Sequence, residues 1–306
     1  MTVDTVTRRV ERFRAFAWGL LVYILLVILW GAYVRATGSG AGCGGSWPLC
    51  NGGVVPPSPD AAALIEYTHR LTSGLSLIAV GGLCAWAFRL FPRGHIVRRL
   101  AALSCLFLVI EALLGAGLVL LGYVAENSSA GRAAYLSAHF VNTQVLLSLI
   151  ALTAWFARPG EPAKPHRPGN KLLVASLPVA LALSVTGVIA ALGDTLYPAS
   201  SIAAGIAQEL APEAGALLRL RLLHPVMAAG AGTFLLLAAL SVKPATGVSR
   251  FAVTLIFVQL AAGALNFYLL APVWMQIVHL LLADLLWLAL VFLVAESYRS
   301  RPPVTS

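Results

Sequence analysis

Apolar residues lie along this chain in long uninterrupted runs, separated by short polar or glycine- and proline-rich segments. A run of about 20 apolar residues is long enough to cross the hydrocarbon core of a bilayer as an α-helix. Eight such runs occur, at residues 15–35, 61–90, 98–123, 132–157, 171–193, 214–241, 250–270 and 273–296. The pattern therefore predicts an all-α integral membrane protein with eight transmembrane helices.

Composition excludes a soluble globule as the alternative. Hydrophobic residues make up 59% of the chain and charged residues 11%, whereas soluble domains have about half and about a quarter. The net charge of +9 is spread over several short loops and tails, which argues against a nucleic-acid-binding surface. In a membrane protein such an excess of Lys and Arg is typical of cytoplasmic loops.

The positions of Lys and Arg predict the orientation in the membrane. If the N-terminus is cytoplasmic, sixteen of the 21 basic residues fall on the inner side: Arg8, Arg9, Arg12, Arg14, Arg89, Arg93, Arg98, Arg99, Arg158, Lys164, Arg167, Lys171, Lys243, Arg250, Arg299 and Arg301. We therefore expect a multi-pass protein of the cell membrane with both termini cytoplasmic. A cleaved signal peptide is a weaker alternative, because the first apolar run is long and no small-residue cleavage site follows it.

A segment rich in proline and charge divides the chain into two parts of four spans each. We expect a cytoplasmic linker at 158–170, an N-terminal half at 1–157 and a C-terminal half at 171–306. The halves show a weak repeat, in which Gly31, His69, His139 and the segment 113–117 correspond to Gly187, His224, His279 and 260–264. The prediction is two four-helix bundles related by an internal parallel repeat, a scaffold that can build cofactor sites from facing side chains.

Four histidines lie inside the apolar runs, where ionisable residues are costly and mark functional sites. They are His69, His139, His224 and His279. Each belongs to an even-numbered span and lies 7 to 11 residues from its outer edge, or roughly 10–16 Å at 1.5 Å per residue. Two histidines at one depth on neighbouring helices suit bis-imidazole ligation of haem iron, one pair in each half.

Two alternatives for these histidines remain open at this point. A buried histidine can simply be hydrogen-bonded to a neighbouring carbonyl or hydroxyl group. A zinc site is the other alternative, although zinc usually recruits nearby Cys, Asp or Glu, and Glu66 alone is close in sequence to any of the four. The remaining histidines, His95 and His166, are predicted to be solvated loop residues.

Glu66 precedes His69 by three residues, so both lie on one face of a helix. The matching position of the second half is Arg221, with no acid beside it. The sequence therefore predicts a carboxylate next to the first presumed haem only, where it can exchange protons. A salt bridge to Arg70 or a cap at the outer helix end is the alternative role.

Cysteines and the remaining charges within the spans are less informative. Cys43 and Cys50 share an outer, oxidising compartment in which a disulfide can persist, with either a structural or a redox role. Cys84 and Cys105 lie in spans as small apolar residues. Glu111 and Asp284 also lie in spans, and their roles are not assigned by the pattern.

Several of these motifs together resemble the haem A synthase family, in its bacterial type with a cysteine pair in the first outer loop. They are the run Gly-Ala-Tyr-Val-Arg-Ala-Thr-Gly-Ser-Gly at 31–40, the loop from Cys43 to Trp47-Pro48-Leu49-Cys50, Glu66-x-x-His69-Arg70 and the three later histidines. The resemblance covers the whole chain. The segment 194–213 contains no cysteine, which excludes a second disulfide.

The resemblance implies an oxidoreductase that converts a ring methyl group of haem O to a formyl group by successive hydroxylations. It implies that His69 and His139 bind haem O, that His224 and His279 bind haem b, and that Glu66 is needed for turnover. It also implies a Cys43–Cys50 disulfide. Its expected partners are the farnesyltransferase that makes haem O and assembly factors of terminal oxidases, and it leaves room for a homo-oligomer.

Two other functions use the same residues. A di-haem cytochrome b that only carries electrons would need the four histidines but not Glu66. A proton-coupled transporter would be expected to have spans interrupted by Gly or Pro near the midplane, and span five, with Pro178 and Gly187, comes nearest to this.

Overall fold

The computed structural model describes residues 3–56, 59–158 and 170–298, and within them the protein is all-α. The helices are α1 (Val3–Ala36), α2 (Ala61–Leu90), α3 (Ile96–Leu120), α4 (Ala130–Phe156), α5 (Lys171–Leu196), α6 (Ile202–Leu210), α7 (Ala216–Leu240), α8 (Gly247–Tyr268) and α9 (Val273–Ser297), with a 3-10 turn at Ser39–Ala41. All except α6 are long and apolar enough to span a membrane. The predicted eight-helix membrane fold is therefore confirmed, whereas most of the predicted linker lies outside the described residues.

Side-chain caps explain why most helix boundaries agree with the apolar runs. The Asp60 side chain accepts a hydrogen bond from the Ala63 backbone at the start of α2, and Ser129 caps α4 in the same way. Thr246 forms a reciprocal capping box with Ser249 at the start of α8. Such caps satisfy backbone N–H groups that have no partner within the helix.

His95 is also a cap, which differs from the solvated loop position that we predicted. Its Nδ1 accepts a hydrogen bond from the Val97 backbone at the start of α3, and its ring stacks on Phe91. Partial burial lowers the pKa of the His95 imidazole. His166 lies outside the described residues.

Two elements differ from the predicted spans. Helix α1 begins at Val3 rather than at residue 15, and its 34 residues measure about 51 Å, more than the hydrocarbon thickness of about 30 Å. Because Arg8, Arg9, Arg12 and Arg14 lie in its first turns, we expect this end of α1 to lie outside the hydrocarbon core. The second difference is α6, a nine-residue helix capped by Ser201, which lies between the predicted spans 171–193 and 214–241.

The eight long helices form two rings of four. In the first ring, α1 to α4 each contact the next helix in chain order, and α4 also contacts α1. The second ring has the same arrangement of contacts among α5, α7, α8 and α9. The rings meet where α1 and α4 face α5 and α9. This arrangement is consistent with the predicted parallel repeat of two four-helix bundles.

The packed core lies towards one end of both bundles. We call this end, where α1 starts and α9 finishes, the tail end, and the opposite end the loop end. Apart from Leu192 of α5, the largest fully buried apolar side chains belong to the tail-end halves of their helices. They include Phe13, Leu83, Leu147, Ile150, Leu173, Ile256, Leu290 and Leu293. The interior of the loop end is filled less tightly, and the cavity described below lies there.

Proline does not interrupt the spans. Pro178 lies within α5 and Pro225 within α7, and both helices continue through these residues. The fifth span is therefore continuous, unlike the broken helices expected of the transporter alternative.

Candidate functional site

A large cavity at the loop end contains the four histidines of the spans. Its volume is about 1370 Å³, and His69, His139, His224 and His279 all line it. Pockets for one small ligand usually measure about 300–1,000 Å³. The cavity therefore has room for more than one ligand, and residues of both halves contribute to it.

The histidines lie at a common depth. They follow the first residues of α2, α4, α7 and α9 by eight, nine, eight and six positions, respectively. At 1.5 Å per residue these offsets correspond to roughly 9–14 Å from the helix starts. This geometry agrees with the depth predicted from the apolar runs.

Each imidazole ring lies against a glycine of the preceding long helix. A Cβ atom added to the glycine would lie close to the ring Cε1 atom in the pairs Gly31–His69 (2.8 Å), Gly187–His224 (3.0 Å), Gly263–His279 (3.0 Å) and Gly115–His139 (3.8 Å). The absence of a side chain lets the helix backbone approach the ring. The repeat between segments 113–117 and 260–264 aligns Ala116 with Gly263. In the structure the residue equivalent to Gly263 is instead Gly115, one position earlier.

The second-half pair has a geometry that suits shared metal ligation. The ring centres of His224 and His279 are 6.5 Å apart, with an angle of 81° between the ring planes. A metal–imidazole bond of about 2 Å, with about 1 Å more from ring nitrogen to ring centre, places two rings on one ion roughly 6 Å apart. The separation of the two ring centres is therefore compatible with both imidazoles binding one iron ion.

A hydroxyl group orients His224 within this pair. His224 Nδ1 lies 2.9 Å from Thr186 Oγ1, which itself donates to the Leu183 carbonyl at 2.6 Å. Because the hydroxyl hydrogen is directed to Leu183, Thr186 accepts from Nδ1–H. The Nε2 lone pair of His224 is then free to bind a metal.

The first-half histidines have buried nitrogens that lack a hydrogen bond. The Nδ1 atoms of His69 and His139 are both buried without a hydrogen-bond partner among the described residues. Glu111 Oε1 lies 3.4 Å from His139 Nδ1, and Asn142 and Thr143 donate to the same carboxylate. The sequence pattern did not assign a role to Glu111, although an acidic residue within an apolar span is itself an indication of a functional site.

Glu66 lies at the mouth of the cavity in a fully formed ion pair. It is 3% exposed, and its Oε1 accepts from Arg70 Nη2 at 2.5 Å and Nε at 3.1 Å. Its Oε2 accepts from the Cys43 backbone at 2.8 Å. The salt bridge named above as an alternative role is therefore present, and Glu66 also lines the cavity one helical turn from His69.

The loop that Glu66 anchors is closed by the Cys43–Cys50 disulfide. Arg70 Nη1 donates to the Ser46 and Leu49 carbonyls at 2.7 and 2.6 Å. Trp47 lines the cavity, so the loop covers the loop end of the first half. The other two cysteines, Cys84 and Cys105, are free and partly buried.

Helix α6 covers the second half in a comparable way. Arg221 Nε donates to Glu209 Oε1 at 2.5 Å, and Arg221 Nη1 lies 3.5 Å from Asp194. Glu209 belongs to α6 and lines the cavity. The prediction that the second half has no acid near the position matching Glu66 was therefore wrong. Glu209 of α6 is twelve residues before Arg221 in the sequence, and the fold places its carboxylate against the Arg221 side chain.

Arg35 joins the two halves beside the cavity. From the end of α1 it donates to the Ala191 carbonyl and the Thr195 hydroxyl of α5, and to Gln276 Oε1 of α9, each at 2.8 Å. No feature of the sequence predicted that Arg35 would join the two bundles, because its partners lie more than 150 residues away.

The donor set argues against the zinc alternative. Within the described part of the chain, no group of three or more His, Cys, Asp or Glu side chains is arranged to hold a metal ion. Paired imidazoles, glycines that leave space for them, unpartnered buried nitrogens and a large cavity instead fit haem groups with two axial ligands.

Residues 14–291 match the family described as cytochrome oxidase assembly proteins. The chain belongs to this family. The match confirms the resemblance to haem A synthases that the motifs predicted, and it agrees with a multi-pass, haem-associated membrane protein.

Similar proteins include one from Thermus thermophilus, named protoheme IX farnesyltransferase. It is 45% identical over 295 residues, covering 94% of this chain and 48% of that protein. Heme A synthases from Bacillus cereus (strain AH187) and Bacillus anthracis (strain A0248) are 48% identical over 99 residues, or 32% of each chain. The chain therefore spans about half the length of its Thermus relative and aligns with a third of the Bacillus proteins.

Proposed function

We propose that the protein is a haem A synthase that oxidises a ring methyl group of haem O to a formyl group by successive hydroxylations. The observation that carries this proposal is the meeting of four histidines from α2, α4, α7 and α9 in one cavity at a common depth. Family membership and the similarity to Bacillus heme A synthases support the same reaction.

The two histidine pairs take different roles in this proposal. His69 and His139 bind the iron of the substrate haem O, and His224 and His279 bind the iron of a resident haem b. The assignment is supported by Glu66, which lies on the same helix as His69 and one turn from it, whereas the second-half carboxylate Glu209 belongs to the separate helix α6. A site within the membrane also suits a substrate with a long farnesyl tail.

Residues around the first pair prepare the reaction. Arg70 and the Cys43 backbone hold the Glu66 carboxylate in one orientation. Glu66 then removes a proton from the methyl carbon being oxidised or stabilises positive charge on it. The disulfide-closed loop, with Trp47, covers this end of the cavity and limits the access of bulk water. Bound haem b supplies one-electron acceptor chemistry.

A farnesyltransferase that produces haem O is the proposed physical partner. The Thermus relative carries that enzyme's name and is about twice as long as the region that matches this chain. Delivery between two membrane proteins in contact would keep the apolar substrate out of water. The product would serve assembly of a haem-copper terminal oxidase.

The test of the reaction is mass spectrometry of the porphyrins released from the purified full-length chain, made in a host that supplies haem O. The expected result is haem b together with haem O or its hydroxymethyl or formyl derivative. Haem b alone would favour the di-haem electron carrier and contradict the synthase. A preparation without a Soret band would overturn haem binding altogether.

Substitution of Glu66 tests whether turnover needs the carboxylate, which also forms the ion pair with Arg70. Glu66→Gln keeps the size of the side chain and an oxygen for the Cys43 backbone, but it removes the charge and the proton-accepting group. We expect both haems to remain bound while haem A formation falls by about 100-fold or more. Glu66→Asp, which retains a carboxylate, should recover part of the activity.

The measurements are haem content by absorption spectroscopy and product by chromatography of extracted haems. Unchanged haem A formation in Glu66→Gln would show that Glu66 only anchors the loop.

A further inference from the structure

Helices α3 and α8 carry a polar side chain at equivalent positions, but with different charge. Glu111 lies four residues before Gly115, which contacts His139 of the next helix. Gln259 lies four residues before Gly263, which contacts His279 in the same way. Glu111 Oε1 lies 3.4 Å from His139 Nδ1, and Gln259 Nε2 lies 3.3 Å from His279 Nε2. A carboxylate thus lies beside Nδ1 of His139, whereas a neutral amide lies beside the other ring nitrogen, Nε2, of His279.

The surroundings of Glu111 direct its charge at His139. Asn142 Nδ2 donates to Oε2 at 2.5 Å and Thr143 donates to Oε1, so two side chains from the helix of His139 hold the carboxylate. In the described part of the chain, His139 alone forms an ion-pair contact with Glu111, and no Lys or Arg does so.

The second half offers its histidines neutral partners instead. His224 Nδ1 contacts the Thr186 hydroxyl, whereas Gln259 lies beside Nε2 of His279, and the Nδ1 atom of His279 has no hydrogen-bond partner among the described residues. A ligating histidine that donates its second N–H to a carboxylate becomes a more basic ligand, and its ring orientation is fixed. Hydrogen bonding of this kind is one of the ways in which a protein tunes the potential of a haem iron.

We propose that Glu111 is a positioning residue that accepts the Nδ1–H of His139, presents Nε2 to the first-half iron and gives that iron a lower reduction potential than the second-half iron. The inference rests on the haem ligation proposed above. It favours transfer of one electron from ferrous iron in the first half to ferric iron in the second. The first iron is oxidised and the second reduced, with no bond formed or broken.

A purely structural role for Glu111 makes a different prediction. In that case the carboxylate would only join α3 to α4 through Asn142 and Thr143. Glutamine at position 111 retains a side-chain oxygen for Thr143 and an amide of the same size, and glutamine already occupies the equivalent position 259. Glu111→Gln therefore removes the charge while preserving a polar contact between the helices.

The experiment is a spectroelectrochemical redox titration of the purified full-length protein with both haems bound. In Glu111→Gln we expect the lower of the two midpoint potentials to shift upwards, with the other unchanged and haem content preserved. The variant Gln259→Glu, whose carboxylate would lie beside Nε2 of His279 and away from His139, should leave the lower midpoint potential unchanged. Electron paramagnetic resonance should show the altered ligand field on only one low-spin haem in each variant.

The outcomes separate this inference from the proposed function. Both haems bound with unchanged potentials in Glu111→Gln would overturn the role of Glu111 while leaving haem ligation intact. A wild-type protein without haem would overturn both. Glu111→Asp, which keeps the charge, should retain both haems and shift the potential less than Glu111→Gln; loss of haem in both variants would show that Glu111 is structural and contradict the proposal.

Discussion

At the scale of single residues, the histidines could be predicted and their neighbours could not. An ionisable residue in an apolar run is a local signal, because it is costly in the membrane unless a site requires it. The contacts of Gly31 with His69, and of Thr186 with His224, join residues on different helices. No local pattern specifies which glycine or hydroxyl will face a given ring.

The glycine contacts lead to a prediction about haem binding. A Cβ atom at position 31 would lie 2.8 Å from His69 Cε1, so Gly31→Ala must displace the ring, at a cost typical of overpacking of about 1–3 kcal/mol. We expect this variant to lose the first-half haem and to keep the second. The measurement is the ratio of haem to protein, with identification of the remaining porphyrin.

Gly19 provides the matched control on the same helix. A Cβ atom there would meet no other atom within 4 Å, so Gly19→Ala should bind haem as the wild type does. Full haem content in Gly31→Ala would contradict the importance of the close ring–backbone approach.

At the scale of elements, both halves carry a cover at the loop end, and the two covers are built differently. The first is the disulfide-closed loop held by Glu66 and Arg70, and the second is α6, held by Glu209 and Arg221. The resemblance to haem A synthases implied the disulfide of the first cover, but not its attachment to Glu66 and Arg70. Helix α6 was missed because nine residues are too few for a strong periodic signal, although Ser201 as a helix cap was a local indication.

The attachment of α6 can be tested by removing its carboxylate. Both side chains of the Arg221–Glu209 pair are at most 9% exposed, and loss of one partner of a buried pair typically costs about 3–5 kcal/mol. Asp194 remains beside Arg221 and offsets part of this loss. We expect Glu209→Gln to increase amide hydrogen exchange within 202–210, measured by mass spectrometry, while the long helices remain protected.

Glu213→Gln is the control for this experiment, because Glu213 is exposed in the same connection. It should leave exchange of α6 unchanged. Equal protection of α6 in Glu209→Gln and wild type would mean that apolar packing, rather than the ion pair, holds the helix.

At the scale of the whole molecule, polar residues buried between the halves hold the two bundles together. Gln144 of α4 donates to Asp284 of α9 at 2.7 Å, and Trp287 donates to the Gln144 carbonyl at 3.0 Å. Asp284 is fully buried. Its role was not assigned from the sequence, because its partner lies 140 residues away.

The orientation of the molecule is a prediction that reporter fusions can check. Basic residues concentrate at the tail end, so we expect both termini to be cytoplasmic. A fluorescent protein fused to the C-terminus of the full chain should be fluorescent, whereas alkaline phosphatase at the same position should be inactive. Phosphatase inserted after residue 126, in the connection between α3 and α4, should be active; the reverse pattern would show an inverted topology.

The sequence pattern was enough to predict the number of spans, the positions of most helices to within a few residues, the depth of the four histidines and the presence of a cysteine pair. These features are local, because a bilayer demands long apolar runs whose backbone hydrogen bonds are satisfied within each helix. Three features became visible only in the packed structure: the histidines line one cavity, Glu209 of α6 pairs with Arg221, and Glu111 faces His139. Those contacts depend on how helices distant in the chain pack side by side, and hydrophobic periodicity contains little information about the partners that each face will meet.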